Sequence, residues 1–560
     1  MAPLLVGFVV LALTLAAADR WALDRVAVGA VLLVLLVASR NINAPAVSLG
    51  RVSRNAALLA FIGFALAIRL PTIIWPATIG WDENTFLTVA AQALNGGLPY
   101  VTTFDNKGPI SVLANMIPLA LASDSLETVR IALAVAIGAT GFLVMQVGVA
   151  LGARRIDAGI TGLLFVGFAT VVSDSPGMWH TAHTGNLIVA AILLLLITSR
   201  QPVVIGALLG ALVLTRGNYL VTVAVLAPLW LATQPTPRRW KDALRLASGA
   251  ALVAAAVALP YVLSGTVDRL WAGLVTVNLA QGHGTGGASA LPREATLMLA
   301  AVILLSVVAF VQTRAGTEHV AKRLRRLTLL NAGATVGTAT SIALTDVVHE
   351  HHALLLLVFP VVQLGAVLAA ASRRQSSERL NLLARSAGLA SVALILGLVL
   401  QGVDRDAVRF DATAAQREAA VLDAVAAALV LDADAETSLW ALSEHHVYWR
   451  LDRAPVDPLV THPSSLAKPG FRVASPPRAG AADTTSEAAA MILSLRPSVI
   501  VGRDDLGHSY LDQPSRDLLR TTLDRDYSKV ATTGPVTIWK FSAEGVTSPT
   551  VSDRTLRGTS

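Results

Sequence analysis

Asp82 and Glu83 stand side by side in Gly80-Trp81-Asp82-Glu83-Asn84, and Asp105 and Lys107 follow in Phe104-Asp105-Asn106-Lys107-Gly108-Pro109. Carboxylates exchange protons with substrates, and a lysine holds anions. The loop that carries them lies between hydrophobic segments. Ionisable side chains are costly to keep beside a bilayer, so such a cluster reads as a functional site. Trp75, Trp81 and Tyr100, the last in Gly97-Leu98-Pro99-Tyr100, are typical interface anchors, and Tyr100 with Asp105 and Lys107 is a candidate substrate contact. Each residue also has a bland reading. Asp82-Glu83 is otherwise a solvated pair or a helix cap, and Asp105 and Lys107 an exposed pair. Lysine is scarce elsewhere in the outward loops, which favours a role for Lys107.

The elements that position these residues follow from composition. Of 560 residues, 54% are hydrophobic and 14% charged, against roughly 25% charged in soluble domains. Mean hydropathy is +0.62. Apolar runs recur to about residue 402, near 3–18, 24–38, 56–74, 127–151, 157–173, 183–198, 202–215, 218–233, 244–264, 294–312, 328–345, 351–371 and 384–402. The fold class is a polytopic α-helical membrane protein with about thirteen transmembrane helices. Residues 1–402 form the membrane domain. Residues 403–560 are polar and hold no spanning run, as expected of a soluble α/β domain. The apolar N-terminus lacks a basic flank and a cleavage site, and is read as a retained helix.

Charge sets the orientation. Arg238-Arg239-Trp240-Lys241, Lys322-Arg323-Leu324-Arg325-Arg326 and Arg373-Arg374 are strongly basic loops, with weaker ones at Arg154-Arg155 and Arg40 to Arg54. Placing all five in the cytoplasm puts the loop 75–126 outside, and the C-terminal domain with it. Segment 108–122 then enters and leaves on one face. The net charge of +7 is topology, not nucleic-acid binding, since no basic stripe interleaved with aromatics occurs. The absence of cysteine excludes disulfides, thiolate metal sites and a cysteine nucleophile.

Within the loop, Phe86, Leu87, Ala90, Ala91 and Leu94 recur at helical spacing. They predict a short amphipathic helix from Asp82 to Leu94 lying along the membrane surface, its acidic start favoured by the helix dipole. In the C-terminal region the pattern predicts a helix over 413–430, strands near 438–442 and 499–501, a helix over 512–526, and a hairpin over 529–541 around Thr533-Gly534-Pro535. The run 474–485 reads as a loop.

The pattern Asp82-Glu83, then Gly97-Leu98-Pro99-Tyr100, then Asp105-Asn106-Lys107-Gly108-Pro109, resembles the first external loop of GT-C glycosyltransferases. The nearest branch is family 39, the protein O-mannosyltransferase and aminoarabinose-transferase group. The likeness extends more weakly to Arg130, Leu259-Pro260-Tyr261, Gly265, Asn278, His351-His352 and Pro360. Two departures leave the subfamily open: the loop follows the third apolar segment rather than the first, and Lys107-Gly108-Pro109 stands for Lys-Pro-Pro. The resemblance implies a polyprenyl-phosphate sugar as donor and a hydroxyl of the cell envelope as acceptor, in protein, polysaccharide or lipid. It makes Asp82 the general base of an inverting displacement, with Glu83 orienting the acceptor or Asp82. Lys107 is then the first phosphate contact and Arg216 the second, although Arg216 in Thr215-Arg216-Gly217-Asn218 is equally read as a snorkelling anchor.

His349-Glu350-His351-His352 lacks the His-Glu-x-x-His spacing of a zinc helix, so His349 and His351 are read as substrate-facing. Some GT-C enzymes use a divalent ion; the sequence holds no convincing ligand set for one. Trp179, His180 and His183 either line the acceptor path or mark the interface. The Gly-rich run 281–293 is either a lid or a passive connector. High Ala and Arg with few Lys fit the plasma membrane of a high-GC bacterium. Two rival readings are a transporter or flippase of lipid-linked glycans, which calls for charges and broken helices at mid-bilayer, and a non-catalytic envelope assembly protein.

Overall fold

A computed structural model describes residues 54–74, 80–122, 125–171, 179–198, 201–281, 291–313, 318–344, 350–371, 412–430, 438–474, 482–506 and 510–542. The predicted spans 3–18, 24–38 and 384–402, most of the Gly-rich run, Trp75 and His349 lie outside them. The membrane part is a bundle of α1 (Arg54–Ile74), α2 (Gly80–Leu94), α3 (Pro109–Leu121), α4 (Leu126–Leu151), α5 (Arg155–Val171), α6 (Thr181–Thr198), α7 (Pro202–Val213), α8 (Tyr219–Ala232) and α9 (Thr236–Leu263). A bent run follows: α10 (Val267–Trp271), a π turn (Ala272–Thr276) and α11 (Val277–Gln281). Then come α12 (Arg293–Thr313), α13 (Glu318–Ala343), a 3-10 turn (Glu350–Leu356) and α14 (Val358–Ala371).

Among the described residues, five helical stretches are long and apolar enough to cross a membrane: α4, α6, α9, Arg293–Val311 and His352–Ala370. Apolar side chains also cover the outside of the bundle. On α9, Leu244, Leu252, Leu259 and Leu263 are exposed; on α3, Leu113, Ile117 and Leu121 form an exposed stripe at i, i+4, i+8, while Ser111 and Asn115 point inward. Such inside-out amphipathicity suits lipid as the solvent. Helix α3 has 13 residues, a length of about 20 Å that is short of the ~30 Å hydrocarbon core. Glycines allow the closest helix packing. A Cβ on Gly206 of α7 would fall 2.0 Å from the Leu246 carbonyl, and one on Gly249 of α9 equally close to that of Val203.

The C-terminal part comprises α15 (Ala412–Val430), β1 (Leu439–Ala441), α16 (His446–Arg450), two 3-10 turns (Pro458–Thr461 and Pro463–Ser465), α17 (Pro469–Ala474), α18 (Thr485–Ser494), β2 (Val499–Arg503), α19 (Gln513–Asp526), β3 (Tyr527–Thr533) and β4 (Val536–Phe541). Every element predicted here is present. Of the run 474–485, residues 475–481 lie outside the described residues, and its end leads into α18, which Thr484 and Glu487 start with a capping box. The sheet order is β1-β2-β4-β3, with β1 and β2 parallel and the other pairs antiparallel.

Period-two alternation decides what each face of the sheet covers. Leu439, Ala441, Val499, Val501, Val536 and Ile538 pack against Val421 and Val425 of α15. Trp440, Ile500 and Trp539 face the other way, into a cluster with α18 and α19 that continues into Tyr100, Phe104, Tyr261, Leu270 and Val277 of the membrane part. The two parts therefore share one apolar core.

Candidate active site

The sequence pattern puts the helix of Asp82 and Glu83 on the membrane surface. In the structure α2 is buried around nearly its whole circumference, including the polar Asn84, Thr85, Thr88 and Gln92. The physical reason is the C-terminal part, which covers the polar face. Trp449 Nε1 donates to Asn84 Oδ1 at 3.1 Å, Trp81 Nε1 donates to the Ser443 carbonyl at 3.1 Å, and Asn95 donates to Asp452. Trp81, expected at a lipid interface, packs its edge on Tyr510 with ring centroids 5.0 Å apart.

At the start of α2 the two carboxylates part company. Glu83 is 2% exposed, and both of its oxygens accept from the guanidinium of Arg130 in α4, one of them at 2.9 Å. Its carboxylate thus ties α2 to α4. Asp82 is about one-third exposed. Its Oδ1 lies 3.1 Å from Nε2 of His462, which comes from the C-terminal part.

The loop after α2 folds under Tyr100, which takes a left-handed φ of 66°. Only a well-fixed surrounding holds a bulky residue there, since such backbone costs on the order of 1–3 kcal/mol. The tyrosine is buried, its hydroxyl donates to the Lys107 carbonyl, and its ring sits edge-on to Phe104. Expected as an interface anchor, it is instead buried and braces the lysine loop. Burial raises its pKa well above the usual tyrosine value. Asp105 is buried and accepts from the Asn106 amide at 2.8 Å. Lys107 Nζ lies 3.7 Å from Asp105, donates to Asn106 Oδ1 at 2.8 Å and sits over the Phe86 ring. A small cavity opens here between Phe86, Tyr100, Asp105, Lys107 and Val112.

Gly108 brings this loop to the turn between α7 and α8. Its amide donates to the Thr215 carbonyl and that of Ile110 to the Leu214 carbonyl. Next to that contact is Arg216, buried, donating to Asn218 Oδ1 at 3.0 Å and to His352 Nε2 at 2.6 Å. Burial lowers its pKa, while the charges of Asp82 and Asp105 pull it back up. Arg216 is thus buried against Asn218 and His352, within electrostatic reach of the two carboxylates, instead of snorkelling into lipid. From the histidine group it is His352 that reaches the site; His351 lies in the 3-10 turn Glu350–Leu356. Trp179 and His180 are buried, with Trp179 donating to Thr184 and His180 meeting the edge of Phe86. Among the described residues, no three His, Asp or Glu side chains gather as metal ligands.

Three residues of the C-terminal part join this group without any signal in the local sequence. Besides His462 they are Lys468, whose pKa is lowered by burial and then by Lys107 and raised by Asp105 and Asp82, and Tyr510, raised by burial and by Asp82. They stand some 360 to 430 positions from the loop, and only folding brings them together.

No family model matches the chain, and no curated protein does. Solved structures do. The crystal structure of ArnT from Cupriavidus metallidurans bound to undecaprenyl phosphate matches over 89% of this chain and 100% of its own, at 14% identity and a TM-score of 0.50. The apo structure of the same protein matches over 87% and 98%, at 15% identity and a TM-score of 0.51. The chain shares the fold of these structures. At this identity the likeness shows the fold alone.

Proposed function

We propose that this chain is a membrane glycosyltransferase that moves a sugar from a polyprenyl-phosphate carrier to a hydroxyl of the cell envelope, at the outer face of a bacterial plasma membrane. The acceptor O–H gives its proton to Asp82 as its oxygen attacks the anomeric carbon. The C–O bond to phosphate breaks, a new C–O bond forms with inversion, and polyprenyl phosphate leaves as an anion held by Lys107 and Arg216. Glu83, through Arg130, fixes the helix that carries the base. The observation that carries this reading is a charge cluster drawn from separate elements: Lys107 lies 3.7 Å from Asp105, and the charges of Asp82 and Asp105 both act on the buried Arg216.

ArnT in its crystal structure holds undecaprenyl phosphate, a polyprenyl phosphate, which supports that donor class. The orientation draws support from the bundle. Helix α8 starts beside Arg216 and ends where Arg239 donates to the Ala232 and Gln234 carbonyls. Helix α13 starts with Arg323 against the Ala150 carbonyl and ends where Asn218 meets the Ser341 carbonyl. Basic turns at one end and the site at the other match a cytoplasmic and an outer face. The same reading gives a catalytic unit over 1–402 with about thirteen spans, and an extracytoplasmic unit over 403–560.

The test is sugar release from a short-chain polyprenyl-phosphate sugar by purified protein. Asp82→Asn is expected to lower turnover on the order of a hundredfold or more. Undiminished turnover in that variant removes the mechanism, and no turnover by wild type with any donor removes the reading.

A further inference from the structure

His462 stands at the head of the second of two consecutive capped turns. Asp457 caps Pro458–Thr461 by accepting from the Leu459 amide at 2.8 Å, and His462 caps Pro463–Ser465 by accepting from the Ser464 amide at 3.1 Å. Thr461, just before it, is tied to three places. Its hydroxyl accepts from the Phe104 amide at 3.1 Å, and its carbonyl meets His445 Nδ1 at 2.9 Å and the Thr85 hydroxyl at 3.4 Å. The backbone beneath the ring is therefore anchored to the loop, to α2 and to the C-terminal core together.

The ring's proton follows from these contacts. A backbone N–H can only donate, so Nδ1 of His462 is the acceptor for Ser464 and carries no hydrogen. The neutral imidazole then bears its hydrogen on Nε2, the atom 3.1 Å from Asp82 Oδ1. The capped turn selects the tautomer, and the tautomer points a donor at the carboxylate.

Building on the glycosyltransferase reading, we propose that His462 is a positioning residue for Asp82: the C-terminal part reaches over the membrane bundle to hold one carboxylate oxygen through the Nε2–H donor. An oxygen fixed by the imidazole N–H narrows the orientations in which the Asp82 carboxylate meets the incoming O–H. The C-terminal part is then a component of the active site, and not only a cover on it.

Two measurements on the full-length protein test this. In the transfer assay, glutamine places its amide nitrogen near Nε2 of a histidine, whereas asparagine reaches only as far as Nδ1. His462→Gln is expected to keep kcat within about threefold, while His462→Asn and His462→Ala lose about tenfold or more with the donor KM nearly unchanged. Equal losses in Gln and Asn, or an effect confined to KM, overturn the proposal. Separately, histidine-selective 15N spectra, with the His462 signal assigned through His462→Gln, are expected to show the Nε2–H tautomer and to shift on Asp82→Asn. An Nδ1–H tautomer, or a ring indifferent to Asp82→Asn, also overturns it. If wild type transfers no sugar, the glycosyltransferase reading fails, and the 15N result still decides whether His462 holds Asp82.

Discussion

Adjacent in sequence, Asp82 and Glu83 have opposite surroundings, and burial divides their work. Glu83 is enclosed with Arg130, close enough to Arg69 for their charges to act on one another. A buried ion pair adds little when intact, but losing one partner strands the other charge, at about 3–5 kcal/mol. Glu83→Gln is therefore expected to lower the melting temperature of the detergent-solubilised protein strongly. Glu83→Gln combined with Arg130→Met recovers part of the loss, which a double-mutant cycle measures. A Glu83→Gln protein that melts like wild type yet fails to turn over would instead assign Glu83 a direct part in the chemistry. The sequence exposed the pair but not its division. The i, i+1 spacing says only that the two side chains leave the helix about 100° apart, and which one meets Arg130 depends on how α2 docks.

At the scale of elements, Gly108 joins the two cation-bearing segments. A Cβ there would stand 1.8 Å from the Leu214 carbonyl oxygen, and backbone cannot yield as a flexible side chain does. Gly108→Ala is expected to push the Lys107 loop off the Arg216 turn, cost about 1–3 kcal/mol, and raise the donor KM. Unchanged melting and an unchanged KM would mean that the loop does not depend on this contact. The same element shows why the sequence could be read as far as it was. Helical periodicity in 82–94 and strand alternation near 439, 499 and 536 are local signals, and all these elements form where expected. The surface placement of α2 failed because its polar face looks solvated when read alone. What covers that face is Trp449, Ser443 and Thr461, remote in the chain, and no periodicity encodes such a partner. His462 and Lys468 escaped for the same reason.

For the whole molecule, joining the bundle to the C-terminal sheet by one core makes the site depend on the stability of that sheet. His445 and His446 lie at the junction, buried, the first held by the Thr461 carbonyl. Burial, chiefly, lowers their pKa values from 6.5 to about 3 and about 4. Unfolded, each titrates near its ordinary value of about 6.5. Between these limits the unfolded chain binds more protons than the folded one, so stability is complete above pH 6.5 and drains away as pH falls toward 4. Each histidine contributes a slope of about 1.4 kcal/mol per pH unit inside that window. Tryptophan fluorescence follows the junction through Trp440 and Trp449, both buried there. The unfolding midpoint should drop markedly from pH 7 to pH 5, and the drop should shrink in His445→Gln and shrink further when His446→Gln is added. Because Thr461 precedes His462, loosening this junction withdraws the imidazole from Asp82, so turnover should fall with the midpoint. A pH slope that the two substitutions leave unaltered would assign the acid sensitivity to other groups and separate the stability of the sheet from these two rings.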